Sequence, residues 1–336
     1  MEEKLNVGKV LLTTSCTHAL EMMAFLLDIQ PGDEVIVPSF TFVSTVNAFI
    51  LRGAVPVFAD IRPDTLNMDE NLVEGLISPR TKAVVVVHYA GVGCEMDAIL
   101  DIGRRRGIPI LEDNAHGYLG TYRGKFLGTL GTFGALSFHE TKNFICGEGG
   151  ALIINDARYV ERAEIIREKG TNRSNFLKGM VDKYTWVDLG SSYLPSDILA
   201  AFLYAQLEKS DEISQRRLSI WNRYWEELGP LRERGVLQLP RIPEYCSHPG
   251  HLFCVILENE KTRAALIRHL RAQGILAVFH YVPLHNSPMS KKLGCGSRKL
   301  PVTDDISARL LRLPMYYELS HEDQGRVIDS IQAFFK

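Results

Sequence analysis

The chain has 336 residues, of which 46% are hydrophobic and 23% charged, with a formal net charge of −2. This length exceeds one ordinary core, so we expect two domains or one large α/β unit. The small net charge predicts no nucleic-acid partner. Because no apolar run approaches the roughly 20 residues that span a bilayer, and the N-terminus lacks a secretory pattern, we expect a cytoplasmic protein without a membrane partner.

The cysteines are scattered along the chain without a CxxC pair. They are Cys16, Cys94, Cys146, Cys246, Cys254 and Cys295. In a chain of this length, such spacing predicts reduced thiols rather than a disulfide framework. His248 and His251 have HxxH spacing, but they flank Pro249-Gly250 and therefore lie on a turn, so we expect no metal site.

Apolar strand-like runs alternate with helical patterns through the first two-thirds of the chain. Strand and helix pairs are predicted at 10–13 and 16–28, 34–38 and 41–52, 55–60 and 69–77, and 83–88 and 95–106, followed by strands at 108–113 and 134–138. A strand at 150–154 is expected to return antiparallel. This alternation predicts a mostly parallel sheet covered on both faces.

The pattern changes after residue 197. A long helical stretch runs to about residue 228. Shorter strands and helices follow at 253–257, 261–273, 277–281, 307–311 and 322–335. We predict a large cofactor-binding domain over residues 1–215 and a smaller α+β domain over residues 216–336.

A lysine and an aspartate lie at the ends of predicted strands. Lys142 follows the strand at 134–138, Asp113 ends the strand at 108–113, and His88 ends another. Ligands of parallel sheets bind beyond these carboxyl ends. A lysine amine near a buried strand end has a lowered pKa and can attack an aldehyde, while a carboxylate keeps a pyridine nitrogen protonated. The pair therefore predicts a pyridoxal phosphate site, in which Lys142 forms the imine.

Other residues suit the phosphate and the ring of that cofactor. The polar turn at 14–18 opens a helix whose backbone N–H groups would suit a dianion, and Ser137 would add a hydroxyl. Phe40 or Phe42 could stack on the ring, and His116 could orient Asp113 or lie on the ring. The structural alternatives are a simple N-cap, two core aromatics and a structural histidine.

The sequence does not match the motifs of nucleotide-binding loops or of serine hydrolases. Gly124-Lys125 has part of a phosphate-binding loop, but Phe126 stands where Ser or Thr is required and Leu119 replaces the first glycine. The sequence has no GxGxxG after a strand and no GxSxG elbow. A dinucleotide enzyme and a serine hydrolase are therefore disfavoured.

Six short runs together resemble the DegT/DnrJ/StrS family of pyridoxal-phosphate sugar aminotransferases. They are TSCTHAL, PSFTFVST, FADIRPDT, ILEDNAHG, LSFHETKN and GEGG, and the resemblance covers nearly the whole chain. It implies the aspartate-aminotransferase fold (fold type I) and a homodimer with shared active sites. It also implies a segment before Val10 that this chain lacks, so we expect a start that is truncated relative to the family.

The resemblance implies a role for each matched residue. Lys142 forms the imine and carries the proton, and Asp113 pairs with the pyridinium nitrogen. The other implied cofactor contacts are Cys16, Thr17 and Ser137 at the phosphate, Phe42 and His116 at the ring, and Ser192 from the partner chain. Many members have an asparagine where Ser192 stands, so its shorter hydroxyl would reach the phosphate through a water.

Three longer runs, at 164–174, 181–197 and 279–285, imply the substrates. They are most similar to members that act on a dTDP-linked 4-oxo-6-deoxy sugar, with L-glutamate as amine donor, in surface-polysaccharide synthesis. The candidate substrate-binding residues are Lys169, Arg173, Tyr184, His280 and His285. For Lys169, Arg173 and His285 the alternative is a solvated loop.

Three alternatives to this function stay open. One is an aminotransferase for another nucleotide ketosugar, such as a 3-oxo sugar. A second is a dehydration, which Lys142 disfavours because dehydrating relatives usually have histidine there. The third is a cofactor-binding regulatory paralogue without activity, which the short start alone favours.

Overall fold

A seven-stranded sheet lies at the centre of the protein, whose computed structural model describes residues 1–296 and 298–336. The strands are β1 (Lys9–Thr13), β2 (Glu34–Pro38), β3 (Val55–Ala59), β4 (Thr81–Val87), β5 (Ile110–Asp113), β6 (Thr121–Tyr122), β7 (Lys125–Phe126), β8 (Phe133–Ser137), β9 (Gly150–Ile154), β10 (Leu237–Gln238), β11 (Cys246–Ser247), β12 (Phe253–Leu257) and β13 (Leu310–Leu313). The central sheet has the order β1-β9-β8-β5-β4-β2-β3.

The described helices cover this sheet and build the C-terminal part. They are α1 (Glu2–Leu5), α2 (Cys16–Leu26), α3 (Ser44–Ile50), α4 (Glu70–Leu76), α5 (Met96–Arg106), α6 (Val160–Arg167), α7 (Arg173–Leu177), α8 (Asp197–Glu208), α9 (Ser210–Glu227), α10 (Gly229–Glu233), α11 (Glu260–Ala272), α12 (Pro288–Leu293), α13 (Pro301–Arg309) and α14 (His321–Phe334). No helix of the described residues is long and apolar enough to cross a membrane.

The directions of the strands place the carboxyl ends of most of them at one edge of the central sheet. β9 is antiparallel to both of its neighbours, β1 and β8, and the other pairs in the sheet are parallel. Of the strands described in this sheet, only β9 therefore runs against the others. The carboxyl ends of β1, β2, β4, β5 and β8 share one edge, where ligands of such sheets bind.

Alternating side chains of β4 show how both faces of the sheet are buried. Ala83 and Val85 belong to one core and Val84 and Val86 to the other, and all four are buried. Full burial of a valine contributes roughly 1.5–3 kcal/mol. A strand buried on both faces reads as a continuous apolar run, which is why the sequence predicts it well. The predicted α/β fold is confirmed.

A smaller sheet lies in the C-terminal part of the chain. β12 pairs with β10 and β13, and α9, α11 and α14 contribute to the core beside it. The predicted division of the chain at residue 215 falls within α9. That division stays a prediction.

A short hairpin of β6 and β7 pairs with β11 of the C-terminal part, and the sequence did not predict it. β6 and β7 are connected by Arg123 and Gly124, both with positive φ (48° and 77°), and β11 pairs with β6. Two positive φ values are typical of a tight hairpin turn. Gly124 therefore belongs to a hairpin rather than to a phosphate loop.

Three predicted elements of the C-terminal part differ in detail from the structure. Residues 277–281 do not form a strand, since only Val278 bridges to Arg312 there. The helical stretch to residue 228 is two helices, α8 and α9, which meet at Lys209. The predicted element at 307–311 spans the end of α13 and the start of β13.

Candidate active site

A cavity of about 460 Å³ lies at the edge where the carboxyl ends meet. Its volume is within the range of small-molecule sites. The large sheet and its loops contribute Ser15, Cys16, Thr17, Thr41, Phe42, Thr45, Asp113, His116, Ser137 and Lys142. The C-terminal part contributes His251, His280, Tyr281 and Arg312.

Lys142 presents its amine to this cavity. The loop after β8 is closed by backbone hydrogen bonds, including those from Phe138 N to Gly149 O (2.8 Å) and from Lys142 N to His139 O (2.9 Å). Within the described residues, the Lys142 amine has no hydrogen-bond or ion-pair partner. Burial lowers the pKa of Lys142, which Cys16 and Asp113 oppose and Arg312 reinforces. A larger share of neutral amine, the nucleophilic form, follows.

Asp113 is a buried carboxylate at the end of β5, with 5% of its surface exposed. Burial raises its pKa. The Thr45 hydroxyl donates to Asp113 Oδ2 (2.7 Å) and the Ala115 N–H donates to Oδ1 (3.2 Å), and both bonds oppose that rise. Thr45 is itself within 2.8 Å of Thr41. A carboxylate held in this way suits a cationic ligand group such as a protonated ring nitrogen.

The N-terminus of α2 forms the opposite end of the cavity. Ser15 caps this helix, since its hydroxyl accepts from His18 N (3.1 Å), and Cys16 and Thr17 follow in the first turn. The first N–H groups of a helix have no partner within it and suit a phosphate. Gly150 allows the close approach of β9, because an added Cβ would lie 2.3 Å from Cys16 N. The predicted N-cap and the predicted phosphate cradle are therefore compatible.

Three buried imidazoles line one side of the cavity. His116 and His251 stack with ring centres 4.3 Å apart, and His280 lies 6.2 Å from His116. Burial is the main cause that lowers the pKa of each, to about 2 for His280. All three are therefore neutral near pH 7.

Hydrogen bonds assign the protons of two of these rings. The Ala90 N–H donates to His116 Nδ1 (3.3 Å), so His116 carries its proton on Nε2. Asn143 donates to Pro249 O (2.8 Å), so its carbonyl oxygen accepts from His251 Nδ1 (2.9 Å). His116 therefore donates from Nε2, which lies 3.3 Å from the Tyr281 hydroxyl, and His251 offers an acceptor at its own Nε2.

The two candidate stacking aromatics have different positions. Phe40 is buried and packs against Tyr89 at 5.1 Å between ring centres. Phe42 lines the cavity and is 57% exposed. Of the two, Phe42 is therefore the one that could meet a ligand ring.

Two histidines singled out from the sequence lie outside the cavity. His88 is buried, with Nε2 at 2.8 Å from Glu112, and its Nδ1 accepts from Cys94 N. His285 is 2% exposed and its Nδ1 lies 2.7 Å from the Ser39 hydroxyl. In the single chain, His285 neither lines this cavity nor lies in a solvated loop, because its buried ring joins residues 284–286 to the end of β2.

Four further predicted site residues are exposed and away from this cavity within one chain. They are Lys169, Arg173, Tyr184 and Ser192. Arg173 pairs with Glu168 at 3.0 Å, and Ser192 forms an isolated bridge with Glu168. Any contact of these residues with a ligand in this cavity therefore has to be made in another subunit.

Several cavity residues were missed in the sequence. Thr45, His251, Tyr281 and Arg312 come from four separate segments. Arg312 had a visible signal, since it is the one charge in the run Leu310–Leu313. Thr45 and Tyr281 lie within runs on which the family resemblance rests, at 38–45 and 279–285, and His251 belongs to the HxxH pair, but none of the three was assigned to the site.

These residues fit pyridoxal phosphate. Lys142 would attach the aldehyde through its amine, Asp113 would pair with the ring nitrogen, and the N-terminus of α2 would bind the phosphate. Together with the mostly parallel sheet, this arrangement defines a pyridoxal-phosphate enzyme of fold type I.

The chain belongs to the DegT/DnrJ/EryC1/StrS aminotransferase family, whose family model matches residues 1–332. It is therefore a sugar aminotransferase, and its cofactor is pyridoxal phosphate. The resemblance noted in the sequence is confirmed at the level of the family.

Individual relatives cover almost all of the chain. The uncharacterized protein MJ1066 of Methanocaldococcus jannaschii is 34% identical over 330 residues, which are 96% of this chain and 84% of the relative. The aminotransferase TlmJ from Streptoalloteichus hindustanus is 32% identical, with a TM-score of 0.91 over 99% of this chain and 88% of that chain. DesV of S. venezuelae, solved with a ketimine intermediate, is 32% identical, with a TM-score of 0.88 over 99% and 86%.

Proposed function

We propose that this enzyme transfers the amine of L-glutamate to C4 of dTDP-4-oxo-6-deoxy-D-glucose. The product is dTDP-4-amino-4,6-dideoxy-D-galactose, a precursor of surface polysaccharides. The observation that carries the proposal is the similarity of residues 164–174, 181–197 and 279–285 to the transaminase that makes this sugar. The six cysteines, all of them described, are free thiols, which supports a cytoplasmic enzyme.

Lys142 carries the proton in both halves of the proposed reaction. Pyridoxal phosphate supplies the aldehyde that takes up the amine and the ring that stabilises negative charge on the reacting carbon. The lowered pKa of Lys142 allows its neutral amine to remove a proton from the donor carbon. The same side chain returns a proton to C4 of the sugar, and its position on one face of the cavity would set the configuration there.

Asp113 and the imidazoles have positioning roles in this proposal. Asp113 keeps the ring nitrogen protonated, and Thr45 holds its carboxylate in place. The His116 ring, held by the Ala90 N–H and the Tyr281 hydroxyl, would lie beside the cofactor ring, and Phe42 would cover that ring. His251, with its free acceptor at Nε2, suits a sugar hydroxyl.

We propose a homodimer whose subunits complete each other's sites. An apolar face of α8 is exposed in the single chain, with Ile198 80% and Phe202 53% exposed. These two residues are one helical turn apart and share a face. Trp186, 74% exposed, lies in the same exposed segment as Tyr184 and Ser192. Burial of this surface against a second copy would bring Lys169, Arg173, Tyr184 and Ser192 to the partner's cavity.

Two successive half-reactions test the function. The purified protein, loaded with pyridoxal phosphate, is mixed with L-glutamate, and the visible band of the cofactor is expected to shift to the pyridoxamine form. The enzyme in its pyridoxamine form is then mixed with dTDP-4-oxo-6-deoxy-D-glucose. The visible band of pyridoxal phosphate should return, and mass spectrometry and NMR should identify the product as the 4-amino sugar.

The comparison sugar is a dTDP-linked 3-oxo isomer. Conversion of the 3-oxo sugar alone would overturn the 4-oxo assignment and leave the aminotransferase intact. A spectrum that does not respond to any amino acid would overturn the transamination itself.

A further inference from the structure

Arg312 is a cation in the cavity without a protein counter-ion. Its backbone is held in β13, where its N–H donates to Val278 O (2.7 Å) and its carbonyl accepts from Val278 N (3.1 Å). The side chain lines the cavity, and its Nε is buried without a hydrogen-bond partner. Within residues 1–296 and 298–336, no carboxylate lies within ion-pair distance of its guanidinium. The side chain is therefore not needed to hold its own strand.

A neighbouring arginine shows how a structural guanidinium is satisfied in the same region. Arg309, three residues earlier, also has a buried Nε without a partner, but its terminal nitrogens donate to Leu257 O (2.9 Å) and pair with Asp305. Among the described residues, the Arg312 side chain has no such partner at any of its nitrogens. A half-buried guanidinium with no such partners is unfavourable, since its donors have lost water without replacement. A ligand anion would satisfy it.

The two acidic residues that line the cavity are used elsewhere. Asp113 accepts from Thr45 and from the Ala115 N–H, and it faces the ring nitrogen in the proposed complex. Glu148 is exposed and lies 3.5 Å from His139. The cofactor phosphate is accommodated at the N-terminus of α2. The anion that Arg312 meets must therefore belong to a substrate.

Covalent connectivity distinguishes the two substrates. Arg312 shares the cavity wall with Lys142, and its charge is among those that affect the Lys142 amine. In an amino acid, a carboxylate is bonded directly to the carbon that loses its proton to Lys142. In the nucleotide sugar, the diphosphate is separated from C4 by the width of the sugar ring.

We propose that Arg312 binds a carboxylate of the amine donor and thereby selects amino acids over other amines. This proposal rests on the proposed function. Arg312 would act in the first half-reaction, and the uncharged ring of the ketosugar would take the same space in the second. A planar guanidinium is suited to this task because it grips a carboxylate through two parallel hydrogen bonds.

The test measures the first half-reaction in Arg312→Gln, Arg312→Lys and a control, Arg326→Gln. Arg326 is an exposed arginine that pairs with Asp323 on the surface (3.1 Å). The rate of the cofactor's spectral shift is followed against the concentrations of L-glutamate, L-glutamine and L-alanine. A second readout is the spectral change caused by glutarate, a dicarboxylate without an amine, which reports binding without turnover.

Arg312→Gln is expected to raise the half-saturating concentration of L-glutamate by at least roughly 10-fold, because a hydrogen bond to a charged group contributes about 1.5–3 kcal/mol. Arg312→Lys should recover part of the loss, and Arg326→Gln should match the wild type. Equal weakening of all three amino acids identifies the α-carboxylate. Weakening confined to L-glutamate identifies the side-chain carboxylate.

Unchanged saturation by all three amino acids, with unchanged glutarate binding, would overturn the proposal. So would weakened ketosugar saturation with normal glutamate saturation, which would make Arg312 a diphosphate ligand. Retained cofactor binding shows that each variant is folded. Because the first half-reaction is read without any sugar, a wrong sugar assignment leaves this test intact, whereas a wild type that does not react with any amino acid fails the proposed function itself.

Discussion

Opposing influences set the protonation of the Lys142 amine. Burial lowers its pKa, while Cys16 and Asp113 act in the other direction. Burial also raises the pKa of the Cys16 thiol well above its ordinary value, so the thiol is uncharged near pH 7. Asp113 then opposes the effect of burial, which remains the larger influence, so Lys142 has a larger share of neutral amine than a solvated lysine.

We predict that Lys142→Ala abolishes the visible band of the bound cofactor and lowers turnover by at least roughly 100-fold, the lower range for loss of a general acid–base group. The removed amine both attaches the cofactor and moves the proton. Absorbance and product formation with L-glutamate measure the two effects. Lys82→Ala, at an exposed lysine of β4, should match the wild type. Retained turnover in Lys142→Ala would remove Lys142 from the mechanism.

A second prediction concerns the cost of burying the Asp113 charge. Because burial raises its pKa in the folded protein, the wild type loses stability as pH rises from about 3.9, the unfolded value, through the folded value. In the cofactor-free protein, Asp113→Asn removes that loss. Its melting temperature should therefore exceed that of the wild type near neutral pH, with a difference that shrinks toward pH 4.

Thermal unfolding of both cofactor-free proteins between about pH 3 and pH 8 measures this difference, since this range spans the unfolded pKa of Asp. A difference that does not depend on pH would mean that the Asp113 charge is not responsible. With pyridoxal phosphate bound, the order should reverse, because the charged carboxylate then has a cationic partner.

At the scale of elements, the contact between β9 and the start of α2 builds the phosphate end of the cavity. Gly150 begins β9, and a Cβ there would lie 2.3 Å from Cys16 N and 2.3 Å from the Ser15 carbonyl carbon. We predict that Gly150→Ala displaces this end of α2 and weakens pyridoxal phosphate binding at least roughly 10-fold, about the effect of losing one charge-assisted hydrogen bond.

The matched control is Gly75→Ala in α4, where a Cβ meets nothing within 4 Å. Alanine is favoured over glycine in a helix by about 1 kcal/mol, so the control should be as stable as the wild type or more so. Titration of both variants with pyridoxal phosphate measures the effect. Equal affinity in Gly150→Ala would show that the close approach is not required.

The large sheet was predictable because its strands are apolar runs with turn residues between them. β2 and β9, at Glu34–Pro38 and Gly150–Ile154, have the predicted bounds. The hairpin of β6 and β7 was missed, since strands of two residues carry no periodicity. The predicted element at 277–281 is mostly apolar, yet Val278 and Phe279 are exposed. An apolar run predicts that its side chains are buried, but it does not distinguish burial in a sheet from burial against a second subunit.

The candidate site was predictable where one short segment carries the chemistry. Lys142 and Asp113 belong to distinctive runs next to strands. His285 was predicted to bind substrate because its segment resembles known substrate-binding runs. In the structure its ring instead points into the protein and contacts the Ser39 hydroxyl. Arg312 and His251 reach the cavity through the packing of the C-terminal part on the large sheet. The single charge in the run Leu310–Leu313 marks Arg312 as unusual, but it does not reveal this long-range arrangement.

At the scale of the whole molecule, the single chain leaves its proposed cofactor-phosphate ligand Ser192 and its apolar α8 face exposed. The proposed homodimer accounts for both. In the proposed homodimer, a two-fold axis would place each subunit's Ser192 at the partner's cavity, so each site would combine Lys142 of one chain with Ser192 of the other. This arrangement differs from two independent sites in a measurable way.

We predict that two inactive variants restore activity when their subunits are mixed. Lys142→Ala lacks the amine, and Ser192→Trp blocks the cavity of the neighbouring subunit. In a mixed dimer, one site carries both changes and the other carries neither. Random exchange at equal concentrations should therefore recover roughly a quarter of wild-type activity per chain, because half of the dimers are mixed and each has one intact site.

The experiment uses refolded or slowly exchanged mixtures, with sedimentation to confirm that dimers form. The control mixes Lys142→Ala with Lys142→Ala, which should stay inactive. A mixture of the two variants that recovers no activity, although dimers form and exchange, would place Ser192 in its own subunit's site. Recovery near a quarter would establish that neither chain holds a complete site, so that the second subunit is a catalytic requirement rather than a means of covering α8.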